Sequence, residues 1–203
     1  MQTKEQLLDQ LKNASKVFEN QLIEEAFTKI DRADFVPEDY NIEAYEDYPL
    51  PIGYDQTISQ PTTTAFMLEL LDPKPGEKIL DVGSGSGFTT ALLAQIVGKK
   101  GEVWGVEIIP ELVEISKQSI VKYNLPQAHI ELTKKMGRAE KAPFDKILVS
   151  ASAKELPGEL INQLKVGGIM VIPVEETIYK IKKTEKGFEE EKDFPGFLFV
   201  PLR

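Results

Sequence analysis

The stretch KILDVGSGSGFTTALLAQIV, Lys78–Val97, decides the fold: an apolar run, Lys78–Val82, meets a helical pattern, Phe88–Val97, across the glycine-rich turn DVGSGSG, Asp81–Gly87. A strand that ends in glycines and feeds a helix opens a βαβ unit. The alternation continues downstream. Glu102–Ile108 reads as a strand, Pro110–Tyr123 as a helix with proline at its first position, His129–Leu132 as a weak strand and Asp145–Ser150 as a stronger one. Leu156–Lys165 then reads as a helix and Gly168–Val174 as another strand. This pattern predicts an α/β fold with a doubly wound, mainly parallel sheet.

Outward from that core the character changes. Upstream, Thr62–Leu71 reads as a helix closed by the turn Pro73-Lys74-Pro75-Gly76. Asp34–Pro61 has no apolar period and is rich in prolines, acids and tyrosines, which predicts a long structured loop of functional use. The first thirty residues carry Leu7, Leu8 and Leu11, then Leu22, Ile23, Ala26, Phe27 and Ile30 at helical spacing, and predict two N-terminal helices. At the other end, Thr177–Thr184 and Gly196–Leu202 predict an antiparallel pair at the sheet edge. One domain over 1–203 is expected: an N-terminal extension (1–75) contributing to the substrate site, a cofactor-binding core (76–175) and C-terminal edge strands (176–203).

Composition narrows the chemistry. The 203 residues, 41% hydrophobic, suffice for one core. No run approaches the roughly 20 apolar residues of a membrane span, and the polar start MQTKEQLLDQLKNASK is unlike a signal peptide, so a cytoplasmic protein without membrane partner is expected. The absence of cysteine excludes disulfides, cysteine-zinc sites and thiolate nucleophiles, and no metal-ligand spacing occurs. A net charge of -9 argues against nucleic-acid binding. The basic run Lys180, Lys182, Lys183 and the acidic run Glu189–Glu191 are expected to be solvated faces of a hairpin.

The glycines admit backbone N–H groups close to a ligand, and the following helix N-terminus adds partial positive charge. Glu107, 20 residues after Gly87, closes the next strand where a carboxylate accepts from a ribose. Phe88 stands where a dinucleotide-binding turn needs a small residue, and the Gly-Lys-Ser/Thr of a P-loop is absent. The acid-x-G-x-G-x-G spacing led by Asp81 resembles instead the motif of class I S-adenosylmethionine-dependent methyltransferases, and so a Rossmann-like methyltransferase sheet. Asp81 either holds the amino-acid end of the cofactor or orders the loop.

The resemblance narrows further on RADFVP (Arg32–Pro37), YEDYPLPIGYDQTISQP (Tyr45–Pro61), EIIPEL (Glu107–Leu112), APFD (Ala142–Asp145), LKVGGIMVIPV (Leu164–Val174) and FVPL (Phe199–Leu202). In this order they resemble the protein-L-isoaspartate (D-aspartate) O-methyltransferase family. That resemblance implies methyl transfer from S-adenosylmethionine to the α-carboxyl of isoaspartyl residues in damaged proteins and peptides, by a monomer. The catalytic serine of the family falls on Ser59, with Thr57 beside it. Cofactor contacts are implied for Ile58, Ser59, Asp81, Gly83 and Ser84, and further along for Gly85, Gly87, Glu107, Ile108 and Thr133.

Two positions depart from the family pattern. Asp55 replaces a glycine in the IGYGQTIS-like segment, and its carboxylate would repel an anionic acceptor unless it points to solvent or meets a cation. Thr133 stands where most members carry the aspartate of Gly-Asp-Gly at the adenine end, which predicts cofactor binding retained through Gly83, Gly85 and Glu107 but weakened, the alternative being an inactive enzyme. His129 and Trp104 are expected to be structural, and Asp145 to serve loop geometry. Two other readings are a methyltransferase with a different acceptor and a non-catalytic cofactor-binding module. The absent Asn-Pro-Pro-Tyr signature argues against adenine-N6 methylation, and the absent cysteine against cytosine-C5 methylation.

Overall fold

A computed structural model describes residues 1–202. Thr3 and Gln6 form a reciprocal capping box that starts α1 (Lys4–Asp9), which continues as a single π-turn to Ala14. Asn20 caps α2 (Gln21–Lys29) by accepting from the Leu22 N–H. The buried faces of these helices, with Leu7, Leu11, Ile23 and Phe27, join the main core. Phe27 and Phe35 both pack on Phe88, ring centroids 5.8 and 5.5 Å away. The bulky residue that argues against a dinucleotide turn thus has a structural use: it docks the N-terminal helices onto the sheet layer.

The expected long loop contains short 3-10 turns and a hairpin, β1 (Leu50–Gly53) and β2 (Gln56–Ile58). Its two-residue turn, Tyr54–Asp55, has φ of 55° and 57°. Two successive positive φ values are those of a type I′ turn, where glycine, asparagine and aspartate are favoured. Asp55 therefore substitutes for glycine at a left-handed position on an exposed hairpin tip.

α3 (Pro61–Leu71) begins with proline and ends at Asp72 in the left-handed conformation. There follow β3 (Lys78–Val82), α4 (Phe88–Val97), β4 (Glu102–Glu107), α5 (Pro110–Val121) and β5 (Ala128–Leu132). The chain continues through β6 (Phe144–Val149), α6 (Gly158–Gln163), β7 (Leu164–Val174), β8 (Thr177–Thr184) and β9 (Gly187–Pro195). The sheet order is β5-β4-β3-β6-β7-β8-β9, parallel from β5 to β7 and antiparallel for β8 and β9. The strands are Rossmann-like in order, as expected. Asp145 ties their N-terminal ends together, accepting from the Lys78 N–H at 2.9 Å and pairing with Lys165 at 2.6 Å.

The edge pairing corrects the expectation. The partner of β8 is the acidic segment Gly187–Pro195, with Lys180 and Lys182 paired to Glu191 at 3.3 and 3.8 Å, and not Gly196–Leu202. The tight turn at Thr184–Gly187 returns the chain at once, so the strand forms from the first residues available. Gly196–Leu202 instead crosses the carboxyl ends of the strands, where Ser152 bridges to Pro201; residue 203 of the expected edge segment lies outside the described residues. α6 is shorter than expected because Pro157 delays its start and Leu164 already pairs with Phe144 in β7. Trp104 is buried, stacked on His129 at 4.4 Å with the Lys141 ammonium over its ring.

Candidate active site

β3 lies between β4 and β6, so the strand order reverses there, the place where doubly wound sheets bind ligands. A cavity of about 770 Å³ opens at that point, within the roughly 300–1,000 Å³ of small-molecule sites. Gly83, Gly85, Glu107, Ile108 and Thr133 line it from the sheet side. Ile52, Gln56 and Thr57 line it from the β1–β2 hairpin. Met136, Gln163 and Val200–Leu202 also line the wall, and neither residue periodicity nor a local motif marks Met136 and Gln163 as lining residues. The signal for the last three is the FVPL segment itself.

Glu107 is 7% exposed and held by backbone. One carboxylate oxygen accepts from the Gly85 N–H at 2.9 Å, and the other from Ile108 and Ile109 at 2.7 and 3.1 Å. A carboxylate offers about four acceptor positions, so capacity is left for a ribose hydroxyl. Gly85 has φ +54°, and a Cβ there would stand 3.1 Å from Ile52 Cδ1. The bare turn thus lets the hairpin close down over the cavity, and this floor with its fixed carboxylate fits an adenosine-bearing cofactor.

Asp81 does not line the cavity. It is fully buried and accepts from Thr89 and Thr90 Oγ1, both at 2.6 Å, and from Ser150 Oγ at 3.4 Å. Of the two roles open to it, this geometry suits ordering of the turn. Burial pushes its carboxyl up to about 6 against the hydroxyl donors, which act the other way. The native state therefore holds this proton where the unfolded chain, near 3.8, has released it. Its contribution to stability is full below about pH 4 and is lost as pH rises through about 6. Relative to Asp81→Asn, wild type should lose about 2 kcal/mol between pH 4 and pH 7. Urea denaturation of both at the two pH values checks this, and parallel pH profiles would contradict it.

The remaining expected residues divide. Ser84 and Ile58 are buried and outside the cavity lining, and Gly87 is the N-cap of α4. Ser59 follows β2 just outside the lining, with its carbonyl accepting from Arg32. Thr133 lines the cavity, and its hydroxyl accepts from the Lys135 N–H at 3.0 Å. Asp55 is exposed and not in the lining, so its carboxylate does not confront an acceptor there. Among the described residues no group of acids and histidines is arranged to hold a metal, and no helix is long and apolar enough to cross a membrane.

The reversed strand order, the glycine turn and the acid ending β4 define an α/β fold of the S-adenosylmethionine-dependent methyltransferase class. A solved protein-L-isoaspartate O-methyltransferase matches with TM-score 0.90 at 26% identity, over 99% of this chain and 66% of that longer one. A Plasmodium falciparum protein, solved as a protein-L-isoaspartate O-methyltransferase in complex with S-adenosyl-L-homocysteine, matches with TM-score 0.87 at 28% identity, over 100% and 99% of the two chains. The sequence is 46% identical to the Protein-L-isoaspartate O-methyltransferase of Ignicoccus hospitalis, over 89% of this chain and 88% of that protein. It is 42% identical to the one from Methanopyrus kandleri, over 98% and 90%. The family model described as Protein-L-isoaspartate(D-aspartate) O-methyltransferase matches residues 2–203. The chain belongs to this family.

Proposed function

We propose that the chain transfers a methyl group from S-adenosylmethionine to the α-carboxyl of L-isoaspartyl residues, and of D-aspartyl residues, in damaged proteins and peptides, the first step of their repair. The observation that carries this reading is the meeting of two segments in one cavity. The glycine turn and Glu107 form its floor, and Thr57 of the β1–β2 hairpin faces them. When bound, the cofactor supplies an electrophilic methyl on a sulfonium, a good leaving group. The acceptor carboxylate is ionised at neutral pH and needs no general base.

The work left to the protein is positioning and exclusion of water. Gly83, Gly85 and Glu107 hold the adenosine, Ile108 borders it, and Thr133 stands at the adenine end. The turn-ordering groups Asp81, Ser84 and Gly87 act from behind, and Ile58 anchors the hairpin in the core. Thr57 and Ser59 orient the attacking oxygen. The net charge of -9 supports action without nucleic acid; we assign a cytoplasmic monomer.

Paired peptides differing only in isoaspartyl against aspartyl linkage test the reading with labelled cofactor. Label on the isoaspartyl peptide alone is expected, and label on neither or on both removes it. Ser59→Ala should lower turnover far more than affinity for S-adenosylhomocysteine, and unchanged turnover would remove Ser59 from the site.

Thr133→Asp should strengthen S-adenosylhomocysteine binding about tenfold, because a charged acceptor exceeds a neutral one by roughly 1 kcal/mol or more. Calorimetry decides this, and equal or weaker binding would place the adenine elsewhere.

A further inference from the structure

Arg32, in the RADFVP segment, has no part in the chemistry above, yet it is 3% exposed. Among the described residues no carboxylate lies within ion-pair distance of it. Its guanidinium donates to main-chain carbonyls instead: Nη1 to Ala44 at 2.8 Å, and Nη2 to Tyr48 and to Ser59, both at 3.1 Å. Its Nε is buried without a partner. Burial lowers its pKa to about 10, against the pull of Asp47, so it stays charged at neutral pH. A buried cation is expensive to desolvate, and here main-chain carbonyls rather than a carboxylate offset that cost.

The acceptors show what that cost achieves. Tyr48 lies two residues before β1 and Ser59 directly after β2. One NH2 group thus grips both feet of the hairpin. The hairpin has strands of only four and three residues, and a pair that short has little stability of its own. Its tip carries the strained-type turn at Tyr54–Asp55, and its body supplies Ile52, Gln56 and Thr57 to the cavity. The angle of the hairpin over the glycine turn is therefore fixed at two places: the Ile52–Gly85 contact and the feet. A lysine at position 32 would present one point charge, where the planar fork of arginine spans several acceptors.

We propose that Arg32 is a positioning residue for methyl transfer: by joining the carbonyls of Tyr48 and Ser59 it fixes the β1–β2 hairpin over the glycine turn and sets where Thr57 and Ser59 present the acceptor carboxylate. This rests on the function proposed above. Misplacing a reacting group by about 1 Å costs on the order of 100-fold in rate. Arg32→Lys should lower kcat for an isoaspartyl peptide by about that factor. Affinity for S-adenosylhomocysteine should stay near wild type, because the glycine turn and Glu107 are untouched.

Two further readouts separate positioning from mere support of the fold. Amide hydrogen exchange at Ile52, Gln56 and Thr57 should accelerate in the variant while exchange in β3 and β4 does not. Methylguanidinium should restore part of the kcat of Arg32→Ala without raising its cofactor affinity. Should Arg32→Lys fail to fold, Arg32→Gln removes the buried charge and keeps an NH2 donor for the same measurements. Wild-type kcat in a folded variant, unchanged exchange in the hairpin, or equal losses of kcat and cofactor affinity would each overturn the proposal. If wild type itself leaves the isoaspartyl peptide unlabelled, the function reading fails, and the exchange comparison still decides whether Arg32 clamps the hairpin.

Discussion

Glu107→Ala is expected to weaken binding of S-adenosylhomocysteine by about tenfold or more while leaving the protein folded. The carboxylate is fixed in the cavity lining by three backbone N–H donors, from Gly85, Ile108 and Ile109. On the function proposed above, its loss takes away the charged acceptor for a ribose hydroxyl, a bond worth roughly 1.5–3 kcal/mol. One such bond amounts to about 10- to 100-fold in affinity. The released N–H groups add to this, because Gly85 is no longer held at the end of β4. Glu107→Gln is the informative comparison. An amide accepts at one oxygen only, so its NH2 must face either the Gly85 donor or the pair from Ile108 and Ile109. Its affinity should fall between wild type and Glu107→Ala. Calorimetry with S-adenosylhomocysteine, run beside thermal melts, measures both; alanine binding within a few-fold of wild type would mean that the ribose is held by other groups.

The place of Glu107 at the end of β4, in the cavity lining, was readable from sequence because every determinant is local: a strand, a glycine turn, a helix and an acid at the next strand end. The same holds for β3, β4, β6 and the Gly168–Val174 part of β7, whose buried faces leave apolar runs broken by turn residues. β9 was not readable. GFEEEKDFP lies on the open edge and is exposed along almost its whole length, so no alternating apolar face exists to be seen. Gly196–Leu202 is apolar for a different reason, since its last residues face the cavity rather than a strand. The β1–β2 hairpin was hidden because its turn is Tyr54–Asp55 rather than the Asn-Gly or Asp-Gly that signals a type I′ turn. Arg32 shows a deeper limit. Nothing local distinguishes an exposed arginine from one buried among carbonyls 12 to 27 residues away. Burial is decided by how the N-terminal segments fold over the sheet, and that is a long-range property.

Gly87 separates two reasons for a glycine in a cofactor turn. Its φ is +94°, and a Cβ there would sit 2.2 Å from Ser116 Oγ and 3.1 Å from Ser116 Cβ. Ser116 belongs to α5, so the side chain is excluded by the packing of α5 against the start of α4, on the side away from the cavity. Gly87→Ala should cost about 2–5 kcal/mol: roughly 1–2 for the left-handed backbone and roughly 1–3 for overpacking. That is a large share of a typical domain stability of about 5–15 kcal/mol. Ser116→Ala alone should be neutral or stabilising, because its Oγ is buried without a partner and alanine favours the helix. In the double variant the Oγ clash is gone while the backbone strain remains, so about 1–2 kcal/mol of the loss should return. Urea denaturation of the four proteins gives the coupling directly, and strict additivity would show that the backbone strain alone sets the cost. The folded fraction of Gly87→Ala should bind S-adenosylhomocysteine as wild type does. A matching loss of affinity would move Gly87 from helix packing to the cofactor, beside Gly83 and Gly85.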